Sequence, residues 1–187
     1  MLRASQGQQG SAGRFAADGG RCDHDPPRLK RMALGRFGDV GMRHILSVAF
    51  ESPRAGWLPL HLRVDDTEIA LEVSYTPNDF LEELIDAVAS VVSSDGSFRA
   101  VGYEEPDQAL VVLTRHEDVI VLSVRRDLES EPIFTFSGTV ASVVLPIWRG
   151  LRRLQADPDI GEWGRRFPTE RMIQLTEAVD RLKSSAA

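Results

Sequence analysis

Two runs of strict alternation constrain this chain more than any other feature. Leu58, Leu60, Leu62 and Val64 fall on one side of a strand, with His61 and Arg63 on the other. After the polar break Asp65-Asp66-Thr67, the residues Ile69, Leu71, Val73 and Tyr75 repeat the pattern against Glu68, Glu72 and Ser74. Successive side chains of a strand point to opposite faces, so this period of two reads as a hairpin with one dry and one wet face, as antiparallel sheets often have. Leu46, Val48 and Phe50 supply a strand before it.

The period then changes. Thr76 is the expected N-cap of a helix, Pro77 suits its first position, and Asp79, Glu82 and Glu83 favour the positive end of its dipole. Phe80, Leu84, Val88 and Val91 form an apolar ridge that Leu81, Ile85 and Val92 widen; the helix should stop after about Ser93, at Ser94, Asp95 and Gly96. Three or four more strands are expected near 97–104, 108–115, 119–126 and 132–137, with the continuously apolar run 110–113 in a central strand. Val140, Val143, Val144, Ile147, Leu151 and Leu154 then share one helical face. Pro146 lies among them, so the helix either kinks there or starts near Leu145. Thr169 and Glu170 open a last helix that uses Ile173, Val179 and Leu182. The expected order is β-β-β-α-β-β-β-β-α-α. Without βαβ alternation the class is α+β, a mostly antiparallel sheet of six to seven strands with about three helices.

The first 41 of the 187 residues behave differently. They are rich in Gly, Gln, Ser, Arg and Pro and show neither period, which reads as a disordered extension before a single domain at 42–187. Met42 (or Met32) is the expected biological start, with the preceding residues an over-called reading frame. Charge is split the same way. Residues 1–41 carry seven Arg and Lys against four Asp and Glu, whereas residues 42–187 carry 15 against 24, a net −9. An acidic body argues against nucleic-acid binding, which requires neutralising phosphates, and suits a basic partner. Lysine is nearly absent, with Lys30 and Lys183 the two examples, a bias that GC-rich bacterial genomes produce. Cys22 is the sole cysteine, no apolar run reaches the length of a membrane span, and no signal peptide is evident at the N-terminus; the expected location is cytoplasmic.

Chemistry-bearing patterns are sparse. Cys22, Asp23, His24 and Asp25 have metal-ligand types but sit side by side in the extension, without the second cluster that closes a tetrahedral site. Gly35, Gly38 and Gly41 precede the first strand, where a dinucleotide fingerprint would follow one. His44, His61 and His116 read as surface or sheet-face histidines. Glu104, Glu105 and Asp107 around Pro106 form a solvated turn, as do Asp65 and Asp66. No nucleophile elbow, P-loop or H-E-x-x-H spacing occurs. No catalytic, cofactor-binding or metal-ligating residue is therefore assigned, and no cofactor is expected.

Two groups remain as candidate partner-binding residues. Arg149, Arg152 and Arg153 share one helix side by their spacing, and Arg165 and Arg166 follow in the next loop; Arg125 and Arg126 end a strand. Trp57 and Trp163 stand in loops, where large aromatics either anchor a partner or cap the core, while Trp148 shares the apolar helix.

The segments Gly56-Trp57-Leu58-Pro59, Ser74-Tyr75-Thr76-Pro77 and Phe167-Pro168-Thr169-Glu170 resemble a group of small bacterial proteins of unknown function, over about residues 42–183. The resemblance implies a bacterial source and a domain starting at Met42; it carries over no catalytic residue. The leading expectation is a non-catalytic, protein-binding domain of immunity or accessory type. The alternatives are a small-molecule binder or enzyme with a site between sheet and helices, using His61, Arg63 and Glu72 if the last helices cover them, and an oligomer-forming structural protein.

Overall fold

The computed structural model describes residues 44–185. The extension 1–41, the two candidate start methionines, the Cys22–Asp25 run and the three spaced glycines lie outside the described residues. Within them, alternation yields the expected strands: β1 (Leu46–Phe50), β2 (Trp57–Val64), β3 (Thr67–Ser74), β4 (Gly96–Tyr103), β5 (Gln108–His116), β6 (Val119–Arg125) and β7 (Phe134–Thr139). All seven form one antiparallel sheet in chain order. Three helices accompany it, α1 (Phe80–Ser93), α2 (Val140–Gln155) and α3 (Thr169–Ser185), with a short 3-10 turn at Ile160–Trp163. The α+β class and the element order agree with the sequence reading.

One face of the sheet is dry because α1 and α2 lie on it. Leu58, Leu60, Leu62, Leu71 and Val73 bury there with Leu84, Val88, Val144, Ile147 and Leu151 in one continuous core, and α3 packs across α1 and α2. Each fully buried Leu or Ile contributes about 1.5–3 kcal/mol over its exposed state. β5 is central, as its apolar run requires, and Ala109 to Leu113 are buried on both faces.

Three local expectations need correction. Asp79, not Thr76, caps α1: its Oδ1 accepts from the N–H of Leu81 at 3.1 Å and of Glu82 at 3.3 Å. The Thr76 hydroxyl is instead shared with Ser74 Oγ at 3.1 Å. Replacing Asp79 by Ala should cost about 1–2 kcal/mol, read as a lower urea midpoint at unchanged m-value. Of the two expectations for Pro146, a start near Leu145 is overturned, for α2 runs through the proline from Val140 to Gln155 with all six ridge residues buried. In α3, Val179 is buried and Leu182 packs against the core as expected, but Ile173 is 54% exposed, because Met172 and Leu175 take the inward positions in its place.

The sheet is joined unevenly. β3 and β4 share a single register pair, Ser74 with Tyr103, then diverge. The strand edges in the gap meet side chains instead of each other. Val101 N–H donates to Glu83 Oε2 at 2.8 Å, Asn78 Nδ2 donates to the Val101 carbonyl at 3.1 Å, and Glu72 N–H donates to Glu104 Oε1 at 3.2 Å. Unpaired backbone groups at a sheet edge are costly when buried, so these contacts make the gap tenable. The result is two half-sheets, β1–β3 and β4–β7, over one helical layer.

Candidate functional site

The outer face of β1–β3 begins at a tight hairpin. Arg54 and Trp57 pair through two backbone hydrogen bonds of 2.9 and 3.0 Å around Ala55 and Gly56, whose φ values are +50° and +86°. Positive φ at both central positions is the twist a two-residue loop needs, and glycine takes it without strain. Gly56 is required for a second reason: a Cβ there would stand 2.4 Å from the Tyr75 ring. Gly164 meets the same ring from the loop before α3.

Tyr75 is thus enclosed by two glycine backbones. Trp163 packs edge-on to it with centroids 6.1 Å apart, and the Arg165 guanidinium lies 5.8 Å from the ring centre. Gly56 N–H donates to the Glu162 carbonyl at 2.7 Å, tying the hairpin to the 3-10 turn. Trp163 Nε1 donates to Asp79 Oδ1 at 3.4 Å. The segments 56–57, 75–79 and 162–165 therefore form one aromatic knot that fixes the hairpin.

That knot presents Trp57. The ring is half-buried on the outer face, beside a recess of about 460 Å³ lined also by Glu51, Arg54, Pro59, His61, Glu72 and Glu104. A neighbouring recess of about 400 Å³ shares Glu51 and His61 and adds Ser47, Arg63 and Glu68. Four carboxylates thus face two arginines. His61 has Glu51 Oε1 3.1 Å from Nε2 and Glu68 Oε1 3.4 Å from Nδ1. Glu104 is held by Arg126 and by the Glu72 amide. The Glu72 carboxylate, exposed on the open face, has no ion-pair or hydrogen-bond partner among the described residues. An aromatic face beside free and weakly held carboxylates suits an arginine or lysine side chain, by cation–π attraction and charge-assisted hydrogen bonds.

His61, Arg63 and Glu72 do lie together, but not between sheet and helices: the helices cover the opposite face. A site between the two layers built from these residues is ruled out, since the alternation that groups them turns them away from the core. Among the described residues no group of three or more His, Cys, Asp or Glu side chains is arranged to hold a metal ion.

The other candidates fall apart in space. Trp163 is completely buried, so it holds the core edge and offers no surface to a partner. Trp148 donates Nε1 to Thr176 Oγ1 at 3.1 Å, and Lys183 lies 4.2 Å over its ring, joining α2 to α3. Arg149, Arg152 and Arg153 are exposed on α2, and neither they nor exposed Arg166 form an ion pair among the described residues. Arg165, also exposed, reaches the Pro77 carbonyl at 3.4 Å and serves the knot. Arg125 and Arg126 belong to the sheet, bound to the Ser130 carbonyl and Glu104, and do not join the α2 group. The outer-face recess was invisible as a unit in the sequence. Glu51, Trp57, Glu72 and Glu104 come from four segments whose register no spacing reveals, although the period-two pattern does put His61, Arg63 and Glu72 on one face.

No family model matches the chain, and no curated protein does. Among solved structures, it is similar to a chain of the CdiA-CT/CdiI toxin and immunity complex from Enterobacter cloacae, at 10% identity and a TM-score of 0.41, over 58% of this chain and 99% of that one. The likeness is too slight to assign a fold or a partner. No helix among the described residues is long and apolar enough to cross a membrane.

Proposed function

We propose that this chain is a non-catalytic protein-binding domain, of immunity or accessory type, whose outer β1–β3 face receives a basic surface of its partner. One observation carries the reading: half-buried Trp57 stands in a recess with the unpaired Glu72 carboxylate and with Glu51, on a body of net charge −9 over residues 42–187. An acidic field of this kind steers a basic partner and speeds encounter, and Trp in a pocket is a frequent energetic anchor. A toxin neutralised by charge complementarity is the partner chemistry such a face fits.

The test is affinity capture from the source cell, with the wild type and Glu51→Lys/Glu72→Lys run side by side. Both substituted side chains are exposed, so folding should be preserved, as circular dichroism can check. A basic protein retained by the wild type and missing from the variant is expected. The same proteins recovered by both would remove the recess from consideration.

A further inference from the structure

Among the residue types that line the two outer-face recesses, histidine alone ordinarily changes charge between about pH 5 and 8, and His61 is shared by both recesses. Its surroundings follow from the strand register. His61 lies opposite Ala49 of β1 and Ala70 of β3, side chains too small to cover the ring. Glutamates reach it diagonally from either side: Glu51 Oε1 stands 3.1 Å from Nε2, and Glu68 Oε1 stands 3.4 Å from Nδ1. Both ring nitrogens therefore face an acceptor. An imidazolium donates from both nitrogens, whereas a neutral imidazole donates from one and turns a lone pair towards the other carboxylate. The arrangement is complete only in the charged form.

We infer that His61 is a proton-operated switch on this face. Protonated, it clamps Glu51 and Glu68 and weakens the hold on a cationic partner; neutral, it releases one carboxylate and opens the recess to that partner. The inference rests on the partner reading above and adds its regulation. The sign follows from the charges around the ring. Glu51, Glu68 and Glu72 face Arg54 and Arg63, three negative charges against two positive, while Glu104 is already bound to Arg126. An imidazolium at His61 cancels the remaining negative charge. The arginines keep their charge throughout, and carboxylates ordinarily lose their proton below the histidine range. His44, bonded to Asp65 beside the β2–β3 turn, and His116, at the end of β5, lie outside both recesses.

Calorimetry of the full chain with N-acetylated, C-amidated hexa-arginine, a probe whose own charge is fixed, tests the switch at about pH 5.5 and about pH 8 and constant ionic strength. The wild type should bind about tenfold more tightly at the higher pH. His61→Gln should bind tightly at both, and His61→Arg weakly at both. An equal pH dependence in the wild type and His61→Gln overturns the inference and leaves the partner reading intact. A peptide that does not bind at the higher pH, or that binds Glu51→Lys/Glu72→Lys equally well, overturns the two together. Carbon NMR of the free protein supplies a readout that needs no partner: the Glu51 and Glu68 carboxylate resonances should shift in step with the His61 ring. A ring that titrates without moving either carboxylate overturns the inference whatever the peptide does.

Discussion

Trp163→Ala should unfold this domain more readily than any other single truncation considered, by about 3–5 kcal/mol. The ring is completely buried, packs edge-on against Tyr75 and donates to Asp79, the residue that also caps α1. Truncation would empty the largest fully buried side-chain volume and remove one of the donors to a buried carboxylate. Against a total stability typically of about 5–15 kcal/mol, this is a large share. Urea titration should show a strongly reduced midpoint at similar m-value. Trp163→Phe, which keeps most of the volume but loses the N–H, should cost much less. A loss below about 1 kcal/mol for the alanine variant would mean that the knot closes over the gap and is not the rigid support described.

The second large effect is on binding. Glu51→Lys/Glu72→Lys places two cations where the partner's cations should sit. Like-charge juxtaposition at an interface costs several kcal/mol, so Kd should rise at least about a hundredfold. Calorimetry with the purified captured partner measures it. The wild-type affinity should also fall with added salt, because exposed charges are screened beyond about 10 Å at 0.1 M. Trp57→Ala should weaken binding by about 2 kcal/mol without changing that salt slope, as an anchor acts by burial more than by long-range charge. A triple Arg149→Glu/Arg152→Glu/Arg153→Glu variant should bind as the wild type does, because those side chains stand on α2, on the far side of the sheet from the recess.

The fold was legible because its signals are local. Period two across 58–75 and period 3.6 across 80–91 and 140–154 each record one dry face, and a central strand shows itself by apolar residues on both faces. Local signals failed where a tertiary contact decided the outcome. Thr76 looks like a cap until Ser74 takes its hydroxyl, and Asp79 supplies the acceptor. Ile173 looks like core until α3 settles with Met172 and Leu175 inward. Trp57 and Trp163 look alike in sequence, each near glycine in a loop. The fold separates them, since the edge-on contact with Tyr75 draws Trp163 inside while the Arg54–Trp57 hairpin keeps Trp57 on the outer face. Sequence leaves open whether the arginines meet in space; the fold ties Arg125 and Arg126 to the Ser130 carbonyl and Glu104 in the sheet, while Arg149, Arg152 and Arg153 stand exposed on α2. The acidic recess needed the strand register, which pairs Pro59 with Glu72 and His61 with Ala70, and which composition cannot encode.

The most direct measurement is site-specific photo-crosslinking in the source cell, with p-benzoylphenylalanine at position 57 or at position 153. A crosslink from position 57 to a basic protein, with none from position 153, is the expected result. A crosslink from position 153 and none from position 57 would contradict the outer-face interface.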